Sequence, residues 1–114
     1  MIINVHAGHN PDGKAGCGCI GIIRESTEAR NVKNEVIRQL KAFGHTVYDC
    51  TVDDGAAHGN VAASSDVLTK IVKKCNAHTV DLDVSIHFNA GARDADSSTT
   101  GVEAYVCTAE SKAK

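Results

Sequence analysis

The stretch Asp81-Leu-Asp-Val-Ser-Ile-His-Phe-Asn-Ala90 limits the possible folds more than any other part of the chain. Leu82, Val84, Ile86 and Phe88 alternate with Asp81, Asp83, Ser85 and His87, and alternation with a period of two marks a strand. Asn89-Ala-Gly-Ala then breaks it. The segment reads as a buried strand running into a histidine. A histidine at the carboxyl end of a strand, ahead of a Gly-containing loop, stands where open α/β sheets bind their ligands. An ordinary hydrogen bond at the rim of a core would also account for one histidine, so the rest of the chain has to decide.

Ile2-Ile-Asn-Val5 is β-branched and reads as a first strand. His6 to Gly13 is dense in turn formers, and the loop continues through Gly16, Gly18 and Gly21 to about Ile23. A connection that long is often functional. It is not a phosphate loop, because it lacks Gly-Lys-Ser/Thr and the G-x-G-x-x-G spacing. Ser26-Thr27 offers capping hydroxyls for a helix that runs to about Phe43 and is closed by Gly44. At about 100° per residue, Val32, Val36, Leu40 and Phe43 form one stripe. Extrapolated backwards, Glu25 lies near its middle and Glu28 on its flank. A carboxylate in line with a buried face needs a partner; Glu28 is readily explained as a first-turn acid favoured by the helix dipole.

Thr46–Cys50 reads as the second strand and Thr51–Asn60 as a polar loop with a solvated His58. Ser64 or Ser65 caps a second helix, with Val67, Leu68, Ile71, Val72 and Cys75 as its apolar face. After the Asp81–Phe88 strand, Gly91–Thr100 is a small-residue loop, Gly101–Cys107 one more strand, and Thr108–Lys114 the start of a helix. Strands alternating with helices predict an α/β fold: a mostly parallel open sheet with helices packed on both faces.

The 114 residues, 42% hydrophobic and 23% charged, suit one globular domain. A net charge of -2 gives no basic footprint for nucleic acid. No apolar run is long enough to span a membrane. The N-terminus shows no secretory signal, so the chain is expected to be made in the cytoplasm. The five cysteines are an odd number, and Cys17-Gly-Cys19 is not the C-x-x-C spacing of a structural zinc site. They read as buried or free thiols.

Three ligand-type residues converge in this scheme. His9 follows the first strand, Glu25 opens the first helix and His87 ends the central strand. If those strands are parallel neighbours, both histidines share one carboxyl edge, and the glycine loop can fold Glu25 over it. Two imidazoles and a carboxylate with an open fourth position suit a catalytic zinc ion, whose Lewis acidity favours amide hydrolysis. His6 is a weaker candidate, since strand alternation points it away from His9.

The sequence resembles the zinc-dependent N-acetylmuramoyl-L-alanine amidases of the amidase type 3 family, particularly catalytic domains of phage and prophage endolysins. The resemblance rests on His6-Ala-Gly-His9-Asn, the Glu25-headed helix ending at Gly44-His-Thr-Val, Ser85-Ile-His-Phe-Asn-Ala90 and Thr100-Gly-Val-Glu-Ala-Tyr105. It implies zinc held by His9, Glu25 and His87, with Glu25 favoured over Glu28 by its distance from the helix-ending glycine. It also implies a supporting role for Asn89 in the His87 loop, and substrate contact by Asn89 and Glu103.

Two departures stand out. The family's leading Asp in the first motif is His6 here. The family's general-base glutamate, near the end of its domain, has no counterpart; Glu110 lies in a different context, Ala-Glu-Ser-Lys. Residues 1–114 are therefore expected to be an incomplete catalytic domain, with that glutamate beyond Lys114. The expected activity is cleavage of the amide between N-acetylmuramic acid and the stem-peptide L-alanine of cell-wall peptidoglycan, on release to the wall. The alternatives are another zinc amidohydrolase or peptidase, and a non-catalytic zinc-containing wall-binding or regulatory domain.

Overall fold

The structure, a computed structural model, describes residues 1–56, 63–89 and 101–106. Its elements run β1 (Ile2–Ala7), α1 (Glu25–Ala42), β2 (Thr46–Asp49), α2 (Ala63–Cys75) and β3 (Leu82–Ile86). The strands form a three-stranded parallel sheet in the order β2-β1-β3. This is the predicted α/β arrangement, with both crossovers made by helices.

The two faces of β1 differ because its sequence alternates. Ile3 and Val5 are buried with Val47, and Val36, Ile37 and Leu40 of α1 pack on them together with Val84 and Ile86 of β3. Asn4, fully buried, points the other way and donates to the Cys75 carbonyl at the end of α2 and to Asp83. Helices therefore lie against opposite faces. Val67 and Ile71 of α2 bury against Val52, just after β2, as a second small core.

Helix α1 ends as its sequence requires. Gly44 takes a positive φ of 85°, His45 N–H reaches the Leu40 carbonyl and Gly44 N–H the Lys41 carbonyl. These are the paired bonds of a Schellman cap, which a glycine permits without a Cβ clash. The start differs from expectation. Glu25 is already helical, Arg24 is the N-cap without a side-chain cap, and Ser26 Oγ instead donates to the Asn10 carbonyl, 2.6 Å away.

The buried stripe of α1 is also rotated from the one expected. Glu25, Ser26, Ala29 and Lys33 are buried, whereas Val32 is exposed and Phe43 is 76% exposed. Lys33 can lie inside because its ammonium donates to Asp49 on β2, 2.6 Å away. On α2, Leu68 and Val72 are exposed, so its packed face is narrower than the apolar pattern suggested.

Strand β3 is an edge of the described sheet rather than its centre, and Leu82 is exposed. It is also shorter than Asp81–Phe88, because its ladder to β1 stops at Ala7↔Ile86. The expected strand at Gly101–Cys107 is not formed over 101–106. Those residues have no strand pairing, and Val102, Tyr105 and Val106 are exposed. Alternation alone does not make a strand without a neighbouring backbone to pair with. His58, Glu110, Cys107 and the expected final helix lie outside the described residues.

Candidate metal centre

The register of β1 with β3 brings the two histidines together. Ala7 pairs with Ile86, and Gly8 N–H continues the ladder to the Ile86 carbonyl at 3.0 Å. One residue further along each strand's path stand His9 and His87, at the same carboxyl edge. The His87 ring lies directly over Gly8: a Cβ there would come within 2.0 Å of its Cε1. The two imidazoles meet edge to face, with centroids 4.8 Å apart.

His9 has φ of 64°, a left-handed conformation that costs a non-glycine residue about 1–2 kcal/mol. The turn is held from several sides. Asn10, fully buried, takes the Gly16 carbonyl on its backbone N–H and donates through Nδ2 to the carbonyls of Ala15 and Gly55. Ser26 Oγ ties the Asn10 carbonyl to α1.

Glu25 reaches the edge from the first turn of α1. Its Oε2 accepts the Cys19 N–H at 2.9 Å while its own N–H donates to the Cys19 carbonyl. Its Oε1 accepts the Phe88 N–H at 3.3 Å. Burial pushes its pKa up, but the hydrogen bonds from Cys19, His87 and Phe88 and the charge of His9 outweigh that and hold it below the ordinary value. Gly18, with φ of 79°, lets the loop pass close by: a Cβ there would lie 2.5 Å from Oε2 and 2.8 Å from the His9 ring.

His9 Nε2, His87 Nδ1 and Glu25 Oε1 lie 3.1 Å from one another on all three edges. The three residues form a group able to hold a metal ion. Ligand atoms on a tetrahedral zinc, at bonds of ~2.0–2.1 Å, are about 3.3 Å apart. The observed triangle is within a few tenths of an ångström of that spacing. With both facing ring nitrogens deprotonated, as metal ligation requires, the three atoms would offer their lone pairs to one cation. The His87 side chain is 44% exposed, which leaves the outer side of the triangle open.

The other residues singled out in the sequence are placed as follows. Glu28 lies outside the triangle and accepts from Asn31. His6 sits on the opposite face of β1 from Val5; its Nδ1 is buried without a hydrogen bond, and burial lowers its pKa. Asn89 does not pair with His87; its Nδ2 donates to Glu103 at 2.6 Å, and Tyr105 OH donates to the same carboxylate oxygen at 2.9 Å. Cys17 and Cys19 flank Gly18 in the loop and are free thiols. Sequence reasoning passed over Arg30, which lies beneath the His9 turn.

Fold and site together define an α/β chain with a His-Glu-His metal-type cluster at the carboxyl edge of a parallel sheet. The chain belongs to the N-acetylmuramoyl-L-alanine amidase family, whose profile matches residues 2–114. It is also 35% identical over 89 residues to an uncharacterized protein of Clostridium perfringens (strain 13 / Type A), a match that covers 78% of this chain and 23% of that protein. The chain thus spans about a quarter of the length of that curated relative.

Proposed function

We propose that this chain is the catalytic part of a zinc-dependent N-acetylmuramoyl-L-alanine amidase, with zinc held by His9, Glu25 and His87. The amide broken joins the lactyl group of N-acetylmuramic acid to L-alanine of the stem peptide. The observation that carries the reading is the 3.1 Å triangle of two imidazole nitrogens and one carboxylate oxygen in a chain of this family. Zinc bound there supplies Lewis acidity for an amide carbonyl and acidifies a water molecule.

The chain's own residues prepare that chemistry. Cys19 and Phe88 N–H groups keep Glu25 ionised and fixed in place. Gly8 and Gly18 give the imidazoles room to converge. Asn89, Glu103 and Tyr105 form an exposed hydrogen-bonded group just past His87, suited to polar groups of a glycopeptide. Glu25 is committed to the triangle, so the reading gives it no part in proton transfer. An endolysin-like protein, made in the cytoplasm and acting on the wall after release, fits this activity.

The test is to digest purified cell walls with the chain and assay new L-alanine amino termini against new reducing sugar ends. The reading predicts amino termini only, absent in His87→Ala. Stoichiometric zinc without amine release would favour a non-catalytic wall-binding domain.

A further inference from the structure

We propose that Arg30 is the positioning residue for His9, holding the backbone turn that aims this ligand; the inference rests on reading the cluster as a metal site. Arg30 stands one turn into α1, with its side chain only 17% exposed. Its guanidinium gathers the backbone around the turn. Nη2 donates to the His9 carbonyl at 3.0 Å and to the Val52 carbonyl at 3.1 Å, and Nη1 reaches the Gly8 carbonyl at 3.5 Å. Nη1 also donates to the Ser26 carbonyl at 3.1 Å and to Ser26 Oγ at 2.7 Å. Nε and Nη2 both donate to Asp53 Oδ1, at 3.0 and 2.7 Å.

The carbonyls of Gly8 and His9 belong to the peptide units on either side of the His9 α-carbon, so fixing both fixes its φ and ψ. A left-handed non-glycine residue persists only where its surroundings over-determine it. Here the planar fork of an arginine does so, with Ser26 relaying the hold to Asn10. A lysine carries the same charge but offers one point of attachment in place of a fork. Asp53 orients the guanidinium from outside. Arg30 hydrogen-bonds none of the three ligand atoms; it acts through the conformation of His9, as outer groups do when they orient a metal ligand.

The test compares Arg30→Met and Arg30→Lys with Val36→Ala, which loosens α1 against the sheet core away from the turn. In metal-free, isotope-labelled protein, the three-bond HN–Hα coupling and the amide shifts of His9 report the turn directly. Both Arg30 variants should lose the wild-type values, and Val36→Ala should keep them. With zinc, the Arg30 variants should bind about 10- to 100-fold more weakly, and their cobalt-substituted forms should show altered visible bands. An unchanged His9 coupling in Arg30→Met overturns the proposal. So does a loss of metal affinity in the Arg30 variants no greater than in Val36→Ala at matched stability. If wild-type protein binds no zinc or cobalt, the metal reading fails, while the His9 coupling still judges Arg30.

Discussion

The His87 ring rests on the Cα of Gly8, one residue beyond the last strand pairing. A Cβ at Gly8 would stand 2.0 Å from Cε1, 2.3 Å from Nε2 and 2.7 Å from Nδ1. No rotation of a methyl group relieves such contacts, so the ring itself must move. Gly8→Ala should therefore displace His87 and weaken zinc binding by at least about ten-fold, the scale on which misoriented ligands lose affinity. Competition with a chromophoric chelator measures this, and wild-type affinity in Gly8→Ala would show that the ring is not confined.

The two first-turn glutamates should separate cleanly. Glu25 is buried and faces both imidazoles, whereas Glu28 accepts from Asn31 on the helix surface. Glu25→Gln should lower zinc affinity by more than the roughly 10- to 100-fold typical of an outer residue. Glu28→Gln should leave it unchanged. Calorimetric zinc titration of both variants gives the comparison, and equal losses would move the third ligand away from Glu25.

Lys33 and Asp49 predict an asymmetry. The lysine side chain is 8% exposed and the aspartate 46%. Removing Asp49 strands a buried ammonium, whereas removing Lys33 leaves a carboxylate that water can reach. Asp49→Asn should cost about 1–3 kcal/mol, and Lys33→Met distinctly less. Burial raises the Asp49 pKa, but hydrogen bonds from Lys33 and Thr51 outweigh it and hold the value below normal. Stability from this depressed acid is complete above the usual carboxylate range and is lost as pH falls through the folded-state pKa. Urea midpoints measured from neutral to acid pH should fall less steeply in Asp49→Asn than in wild type.

Asn89 and Glu103 are expected to act on substrate rather than on metal. Both are exposed and bonded to each other, and neither joins the triangle. Asn89→Ala and Glu103→Ala should keep zinc stoichiometry while lowering kcat/KM on cell walls by about ten-fold, near 1.4 kcal/mol of transition-state binding. Loss of zinc in either variant would assign them to the metal site instead.

The parts of this site that were legible in the sequence follow from strong local rules. His9 and His87 stand where strands give way to glycine loops, and helical periodicity carried Glu25 to the buried side. The rest depended on tertiary partners. Lys33 and Arg30 look like solvent-facing cations until Asp49 and the carbonyls around His9 supply acceptors, which is why the predicted stripe of α1 was rotated towards Val32 and Phe43. Ser26 looks like a cap, but its hydroxyl is used by Asn10. Residues 101–106 alternate like a strand, and alternation does not reveal whether a paired neighbour exists.

The central claim is that His9, Glu25 and His87 hold one zinc ion, and its most direct test is zinc X-ray absorption on the chain loaded with one equivalent of metal. The expected result is a light-atom shell of two imidazoles and carboxylate or water oxygen at about 2.0–2.1 Å, with the stoichiometric zinc lost in His87→Ala. A sulfur shell at about 2.3 Å, placing zinc on Cys17 or Cys19, or no retained zinc in the wild-type chain, would contradict it.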